Sequence, residues 1–449
     1  MRPAVAAGHP ATAESGAEIL AEGGTAADAA VAAALTSCVA ETVMTGLLGG
    51  GHAIVWDGRR ARNLDCFVAV PSGSGPMLDL EVPFGEETVH YAVGPASCAV
   101  PGLVAGLDAL WREHGRLPWP RLVEPALRLA REGSELPPRH AACLAMLEPV
   151  MTLNRGADLY APGGELLGAG GRLRQPGLVA ALEAVAEEGA ATVYRGSIAA
   201  VLLALPGVVV SGADLASYAA RWSEPVETAY AGTRFLTRGG LSGVPALLAR
   251  IPRLAGRSAT ERVLALVDVL DDSGPDGHTT NLCVVDDEGR AVVLTSSLGL
   301  GSGDFLPGLD VHLNSMLGEK DLLVGELRPG ERMQSMMAPS VAIDGDGLAL
   351  AIGSAGGTRL RTALCTVAAG VLDERLPPQA AVDRPRFHPA GGTVNAEPGV
   401  DEAALERLEA TGRTVRRWPD LHHYFGGTSL VSRHGSAGDP RRDGLAIEL

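Results

Sequence analysis

The sequence predicts a layered α+β fold, because helical patterns come first and strand hairpins follow. Helices are predicted at 12–22 and 25–36, near the start of the chain. Strands at 281–286 and 291–295 alternate in hydrophobicity around a polar turn, and a helix follows at about 359–372. Hairpins that feed a sheet covered by helices are typical of this fold class.

The first half of the chain is mainly helical, with one hairpin. Gly23 and Gly24 end the first helix, and Thr25 can cap the second. A glycine run then leads into a strand at 52–56, which returns through a turn at 57–58. Further helices are predicted at 102–114, 121–132, 177–189 and 196–205.

The character of the sequence changes at 238–277. This stretch is rich in Gly, Arg and Ser, and it ends in Asp, Gly and Pro residues at 271–277. Because few residues at that end can be buried, we expect 238–277 to be an exposed, mobile loop. Beyond it, a further hairpin is predicted from strands at 340–343 and 348–352.

Composition narrows the class of partner. A net charge of −16 and a pI of about 5.2 argue against a general nucleic-acid binder, which needs a basic face. No stretch has the pattern of a signal peptide or the length of a membrane span, so we expect a cytoplasmic protein without a membrane partner. The six cysteines are scattered and read as small buried hydrophobes, and neither a metal nor another cofactor is predicted.

Thr279 lies where the predicted loop runs into a strand. If the chain cuts itself before this residue, Thr279 gains a free α-amine whose unperturbed pKa is about 7.7–8.0. Such an amine can act as general base for the Thr279 hydroxyl near neutral pH. By local pattern alone, a Thr-Thr pair that opens a strand is ordinary β-propensity.

An ordered series of short motifs resembles the γ-glutamyltranspeptidases, a family of N-terminal nucleophile hydrolases. It includes Gly49-Gly50-Gly51, Val100-Pro101-Gly102, Met337-Ala338-Pro339 and Gly353-Ser354-Ala355-Gly356-Gly357. Matching segments also lie at 9–10, 23–30, 114–119, 214–225, 279–289, 385–388, 397–399 and 439–444. The series covers nearly the whole chain, which resembles a divergent and shortened member of the family.

The resemblance implies a four-layer αββα sandwich that is made as a precursor. The precursor would cut itself between His278 and Thr279. Residues 1–278 would form the large subunit and 279–449 the small catalytic subunit, and the two would remain one folded heterodimer.

The resemblance also implies the catalytic residues. Thr279 would be the nucleophile, and Ser297 falls where the family has an assisting hydroxyl. Gly356 and Gly357 match the pair whose backbone N–H groups form the oxyanion hole. Adjacent glycines suit that role because no side chain blocks the approach of an anion, although they would equally form a strand-to-helix turn.

The residues that hold a glutamyl carboxylate in this family are altered here. The family uses an arginine before the Val-Pro-Gly motif and two consecutive serines. In this chain no Lys or Arg occurs between Arg62 and Arg112, and the serine pair reads Ser335-Met336. Losing a bidentate arginine from a carboxylate site is not a conservative change.

The residues that hold the glutamyl ammonium are altered as well. Gly299 stands where an asparagine is expected. Glu319 stands at the end of the stretch that normally closes with an aspartate, and it is a candidate replacement. The acyl-transfer residues are therefore retained, whereas the residues that recognise glutamate are not.

Three functions remain open at this point. The first is a hydrolase or transferase that acts on a small acyl substrate, with water or an amine as acceptor. The second is a biosynthetic enzyme that hydrolyses a carbon–carbon bond beside a keto carbonyl, as in antibiotic pathways to alkylated proline units. The third is an uncleaved, non-catalytic binding protein.

Self-cleavage is the first testable prediction. Purified protein should yield two fragments, 1–278 and 279–449, because the freed amine of Thr279 is required for catalysis. Thr279→Ala should remain a single chain. Mass spectrometry of both proteins after prolonged incubation makes the measurement, and an intact wild-type chain would contradict the prediction.

Overall fold

A computed structural model describes residues 1–84, 87–271, 279–357 and 359–449. The helices are α1 (Pro10–Ala21), α2 (Ala26–Ala40), α3 (Leu103–His114), α4 (Trp119–Glu132), α5 (Pro138–Met146), α6 (Glu148–Met151), α7 (Arg155–Tyr160), α8 (Pro176–Glu188), α9 (Ala191–Tyr194), α10 (Ser197–Ala204), α11 (Gly212–Ser217), α12 (Val244–Arg250), α13 (Ala259–Leu270), α14 (Arg359–Leu372), α15 (Pro378–Asp383) and α16 (Glu402–Ala410). The strands are β1 (Ala4–Ala7), β2 (Gly50–Trp56), β3 (Ala61–Cys66), β4 (Leu78–Phe84), β5 (Glu87–Val93), β6 (Ser134–Glu135), β7 (Arg172–Leu173), β8 (Arg221–Ser223), β9 (Val226–Tyr230), β10 (Thr233–Thr237), β11 (Thr280–Val285), β12 (Ala291–Ser297), β13 (Ser340–Asp344), β14 (Gly347–Ala355), β15 (Phe387–Ala390), β16 (Thr393–Ala396), β17 (Thr414–Arg417), β18 (Gly427–Ser432), β19 (Gly435–Ala437) and β20 (Leu445–Glu448).

Two antiparallel sheets form the centre of the molecule. The first sheet has the strand order β20-β1-β11-β12-β2-β3-β8, and the second has the order β19-β18-β14-β13-β10-β9. Apolar residues of both sheets meet between them, among them Cys283 and Val293 from the first sheet and Val341 and Val431 from the second. The two sheets therefore pack face to face.

Helices cover the outer face of each sheet. Leu282 and Leu294 on the first sheet pack against α1 and α2, with α4 and α8 stacked behind. Leu350 and Ile352 on the second sheet pack against α14 and its neighbours. The layers therefore run helix, sheet, sheet, helix, which confirms the αββα sandwich.

Helix α2 is buried along its entire length, and its composition explains why. Eight of its fifteen residues are alanine, so neighbouring helices can approach it closely. A capping box between Thr25 and Asp28 fixes its first turn, and Asp28 also accepts the backbone N–H of Arg116. The C-cap of helix α2 is Glu41, whose carboxylate accepts the hydroxyl of Thr280, the first residue of β11.

Most predicted elements are confirmed to within a few residues. The three predicted hairpins occur as β2–β3, β11–β12 and β13–β14, and the helix predicted at 359–372 has those bounds. All six cysteines are free and buried, as expected. Across the described residues, no helix is long and apolar enough to cross a membrane.

The prediction of a mobile loop at 238–277 is wrong for its two helical stretches, Val244–Arg250 and Ala259–Leu270. These helices, α12 and α13, bury apolar residues against the second sheet. The missed signal is a capping box, Ser258 with Glu261, followed by buried residues at 263, 266, 267 and 270. Residues 272–277, and His278 at the predicted cleavage point, lie outside the described residues, so the division into two subunits stays a prediction.

Candidate active site

Thr279 immediately precedes β11, an interior strand of the first sheet, and it is buried. Thr280 pairs with Ser296 on β12, so one further step along the ladder brings Thr279 opposite Ser297. Because side chains alternate along a strand, both share the face of Asn281, which lies against Gly353 of the second sheet. The strand register thus places the predicted nucleophile and its assisting hydroxyl together between the sheets.

The hydroxyl of Ser297 also shapes the turn that follows it. Its Oγ accepts the backbone N–H of Gly299 at 2.9 Å. Gly299 has a φ of 75°, in the left-handed region that favours glycine. Ser297 therefore holds the start of the loop that carries the other site residues.

Gly356 and Gly357 follow β14, and Gly357 lines the same space as Thr279 and Ser297. Their φ angles are 124° and 59°, and a Cβ on Gly356 would lie 2.7 Å from the Cα of Gly426. Their carbonyl groups accept the N–H groups of Arg359 and Leu360, which starts helix α14. The pair is therefore both a turn that requires glycine and a stretch of open backbone at a helix N-terminus, where negative charge is stabilised.

A narrow cleft connects these residues with the predicted substrate-binding side chains. Thr279, Ser297 and Gly357 line it together with three of those side chains, Glu319, Ser335 and Met336. The rest of the lining is apolar and consists of Phe67, Met316, Leu322, Met337 and Leu360. The cleft, about 30 Å³ in volume, joins six of the predicted site residues in one place.

Glu319 is a buried carboxyl that points into this cleft. It lies between two single turns of 3-10 helix and is 3% exposed, and its Oε1 has no hydrogen-bond partner among the described residues. Burial raises the pKa of Glu319 to about 8, and the nearby Asp321 carboxylate adds to the rise. The group is therefore largely protonated and uncharged at neutral pH.

The structure explains why residue 299 is a glycine. A Cβ there would lie 2.5 Å from Oε1 of Glu319 and 2.6 Å from Oγ of Ser315. The carboxyl of Glu319 thus occupies the space that a side chain at 299 would need. Gly299 lies next to the Glu319 carboxyl and is not among the described residues that line the cleft. Its contact with substrate stays a prediction.

Arg238 shapes the cleft and was missed by the sequence reasoning. Its Nη1 donates to the carbonyl oxygens of Ser335 at 2.9 Å and Met337 at 3.3 Å. Burial lowers the pKa of Arg238 to about 10, so the guanidinium remains charged behind the loop. Nothing local in the sequence marks this role, because the contact spans about a hundred residues.

Comparison with known proteins now identifies the family. A sequence model described as Gamma-glutamyltranspeptidase matches residues 12–260 and 255–449. The chain belongs to the gamma-glutamyltranspeptidase family. The resemblance stated from the motifs is therefore confirmed, and so is an enzyme of the N-terminal nucleophile hydrolase type.

Two relatives and one solved structure show the breadth of the family. This family member is 27% identical to the Acylase ACY 1 proenzyme of Pseudomonas sp. (strain SE83), over 93% of this chain and 88% of the relative. It is 27% identical to the Glutathione hydrolase proenzyme of Pseudomonas aeruginosa, over 99% of this chain and 94% of the relative. The cephalosporin acylase structure from Bacillus halodurans has the same fold, with a TM-score of 0.86, 24% identity, and coverage of 99% and 95% of the two chains.

Burial of Glu319 should make stability depend on pH. The unfolded chain loses this proton near pH 4.5, whereas the folded chain keeps it until about pH 8. This group therefore lowers the unfolding free energy as pH rises through that window, by up to about 1.4 kcal/mol per pH unit. Glu319→Gln should remove the effect, so the Tm of the variant minus that of wild type should be larger at pH 8 than at pH 5.

Glu326→Gln is the matched control, because Glu326 is an exposed carboxylate on the same loop region. Its Tm difference from wild type should not change between pH 5 and pH 8. An equal Tm difference for Glu319→Gln at both pH values would show that Glu319 is ionised in the folded protein.

Proposed function

We propose that this chain is a self-processing acyl-transfer hydrolase with Thr279 as nucleophile, and that its substrate has a less charged head group than glutamate. The observation that carries the proposal is the lining of the cleft at Thr279. Among the described residues that line it there is no Lys or Arg, and its single carboxyl, Glu319, is uncharged at neutral pH.

The reaction we propose is acyl transfer to Thr279. The Thr279 Oγ attacks the substrate carbonyl carbon while the α-amine of the same residue takes the hydroxyl proton. The carbonyl oxygen becomes an oxyanion, which the backbone N–H groups of Gly356 and Gly357 stabilise. The leaving amine departs with the proton, and a threonyl ester remains until water or another amine attacks it.

The apolar walls select the acyl group. Met316, Met336 and Met337 are flexible thioether side chains that adapt to irregular apolar shapes. Phe67 and Leu322 complete the wall. A glutamyl α-carboxylate and α-ammonium would both lose their hydration here. The side chains that line the cleft offer them only neutral hydrogen-bond partners.

Polar recognition rests on Ser335 and Glu319. The Oγ of Ser335 accepts the N–H of Met337 at 3.2 Å, so its own proton is available to a substrate oxygen. Protonated Glu319 offers one donor and one acceptor, which suits a carbonyl, hydroxyl or amide on the substrate. An acyl or keto group with an apolar chain and one such polar atom matches the cleft.

Substrate preference tests the proposal. Processed enzyme should hydrolyse an anilide of an apolar acyl group with a kcat/KM at least ~30-fold above that of the γ-glutamyl anilide. The expected difference is about 2–4 kcal/mol, since charge-assisted hydrogen bonds to the glutamyl carboxylate are replaced by a neutral one. Met336→Ser should narrow the preference by restoring one hydroxyl donor.

Steady-state kinetics of both anilides measures the preference, with Thr279→Ala as the inactive control for each. Efficient turnover of the γ-glutamyl anilide, with a micromolar KM, would show that another residue rebuilds the carboxylate site. Turnover of either anilide by Thr279→Ala would remove Thr279 from the mechanism.

A further inference from the structure

The cleft that Thr279 shares with Glu319 and Met336 is here named the acyl cleft. Thr279 also borders a second cavity. This cavity, here named the rear chamber, is lined by Glu41, Met44, His140, Asp439 and Arg442 in addition to Thr279. With a volume of about 10 Å³, it has room for about one water molecule. Its charged groups come from remote parts of the chain, so the fold alone brings them to the nucleophile.

Arg442 carries a buried charge that has no partner of opposite sign in contact. It is 4% exposed, and its Nη1 donates to the Sδ of Met44 at 2.7 Å. Its Nε has no acceptor among the described residues, and no described carboxylate lies within ion-pair distance of it. Such a charge is unusual, because buried charges are normally paired.

The guanidinium of Arg442 lies beside the oxyanion hole. Its Nη2 is 3.7 Å from the position that a Cβ on Gly356 would occupy. In a buried site of low dielectric, a unit charge acts over several ångströms with little screening. Arg442 therefore stabilises negative charge at Gly356 and disfavours a second positive charge at Thr279.

The other groups of the rear chamber do not cancel this charge. Asp439 is already paired, with Arg386 at 2.5 Å and Arg441 at 3.2 Å. His140 donates its Nε2 proton to the carbonyl oxygens of Gly8 and Arg442, since both partners are acceptors. Neither group forms an ion pair with Arg442, although the Asp439 carboxylate acts on the guanidinium through space.

Glu41 is the opposing charge across the rear chamber. Its Oε1 accepts the hydroxyl of Thr12 at 2.7 Å, and its Oε2 accepts the hydroxyl of Thr280. Both partners are hydroxyl groups, so Glu41 makes no ion pair through these two contacts. Four charged or titratable groups share the rear chamber with Thr279: Glu41, His140, Asp439 and Arg442. Asp439 is paired with Arg386 and Arg441, and Glu319 in the cleft has Asp321 nearby.

We propose that Arg442 is a positioning residue whose unpaired charge lowers the proton affinity of the Thr279 α-amine and supports the oxyanion at Gly356. This role rests on the proposed function of Thr279. With a lower proton affinity, more of the amine is present as free base at neutral pH. Glu41 acts on the amine in the opposite sense, so the two residues together set the pH range of activity.

The test is the pH profile of kcat/KM for the preferred acyl anilide with fully processed enzyme. Arg442→Met should raise the midpoint of the ascending limb by about one pH unit and lower the plateau kcat roughly 10-fold, with KM little changed. Glu41→Gln should lower the same midpoint, and Arg442→Lys should keep it near the wild-type value. Ionisation of Glu319 removes a hydrogen-bond donor for the substrate, so it lowers kcat/KM as pH rises. Deprotonation of the amine raises kcat/KM, so the two effects have opposite signs.

Arg433→Met is the matched control, because Arg433 makes its ion pair with Asp344 on the partly exposed side of the second sheet. Its midpoint should equal that of wild type. An unshifted midpoint in Arg442→Met would overturn the proposal. If that variant does not process itself, an unshifted midpoint in Glu41→Gln overturns it instead. A wild-type profile without an ascending limb would reject the amine base itself, and with it both proposals.

Discussion

The register between β11 and β12 is the constraint on which the rest of the site depends. Thr280 opposite Ser296 places Thr279 opposite Ser297 on the face that looks into the space between the sheets. A slip of one residue would turn both hydroxyls toward the helices. Because β11 is an interior strand that pairs with β1 and β12, Thr279 has a rigid base. Gly356 and Gly357 follow β14 of the second sheet near this point.

Burial strengthens the electrostatic effect of each ionisable group near Thr279. Glu319 lies among methionine and leucine side chains, and the loss of water keeps it protonated at neutral pH. Arg238 donates to two backbone carbonyl groups, whereas Arg442 donates to the sulfur of Met44. Thr279 thus lies between an uncharged cleft on one side and, on the other, the Arg442 guanidinium with Glu41 across the rear chamber.

The sequence predicted the elements whose signals are local. The hairpins around residues 287–290 and 344–347 and the glycine pair at 356–357 were placed correctly, because turn chemistry and alternation determine them. Helix α13 was missed because the Gly and Arg content of its surroundings outweighed the capping box at Ser258. The fit of Glu319 into the space beside Gly299, and the contacts of Arg238 and Arg442, join segments distant in sequence, and no periodicity or motif encodes such contacts.

The central claim is that the Thr279 hydroxyl carries the acyl group during turnover, with an apolar chain held in the cleft. The most direct measurement is mass spectrometry of processed enzyme quenched during steady-state turnover of the apolar acyl anilide. The account predicts an ester on the peptide that begins at Thr279, with the mass of the apolar acyl group. An acyl group on any other residue, or turnover that never labels this peptide, would contradict it.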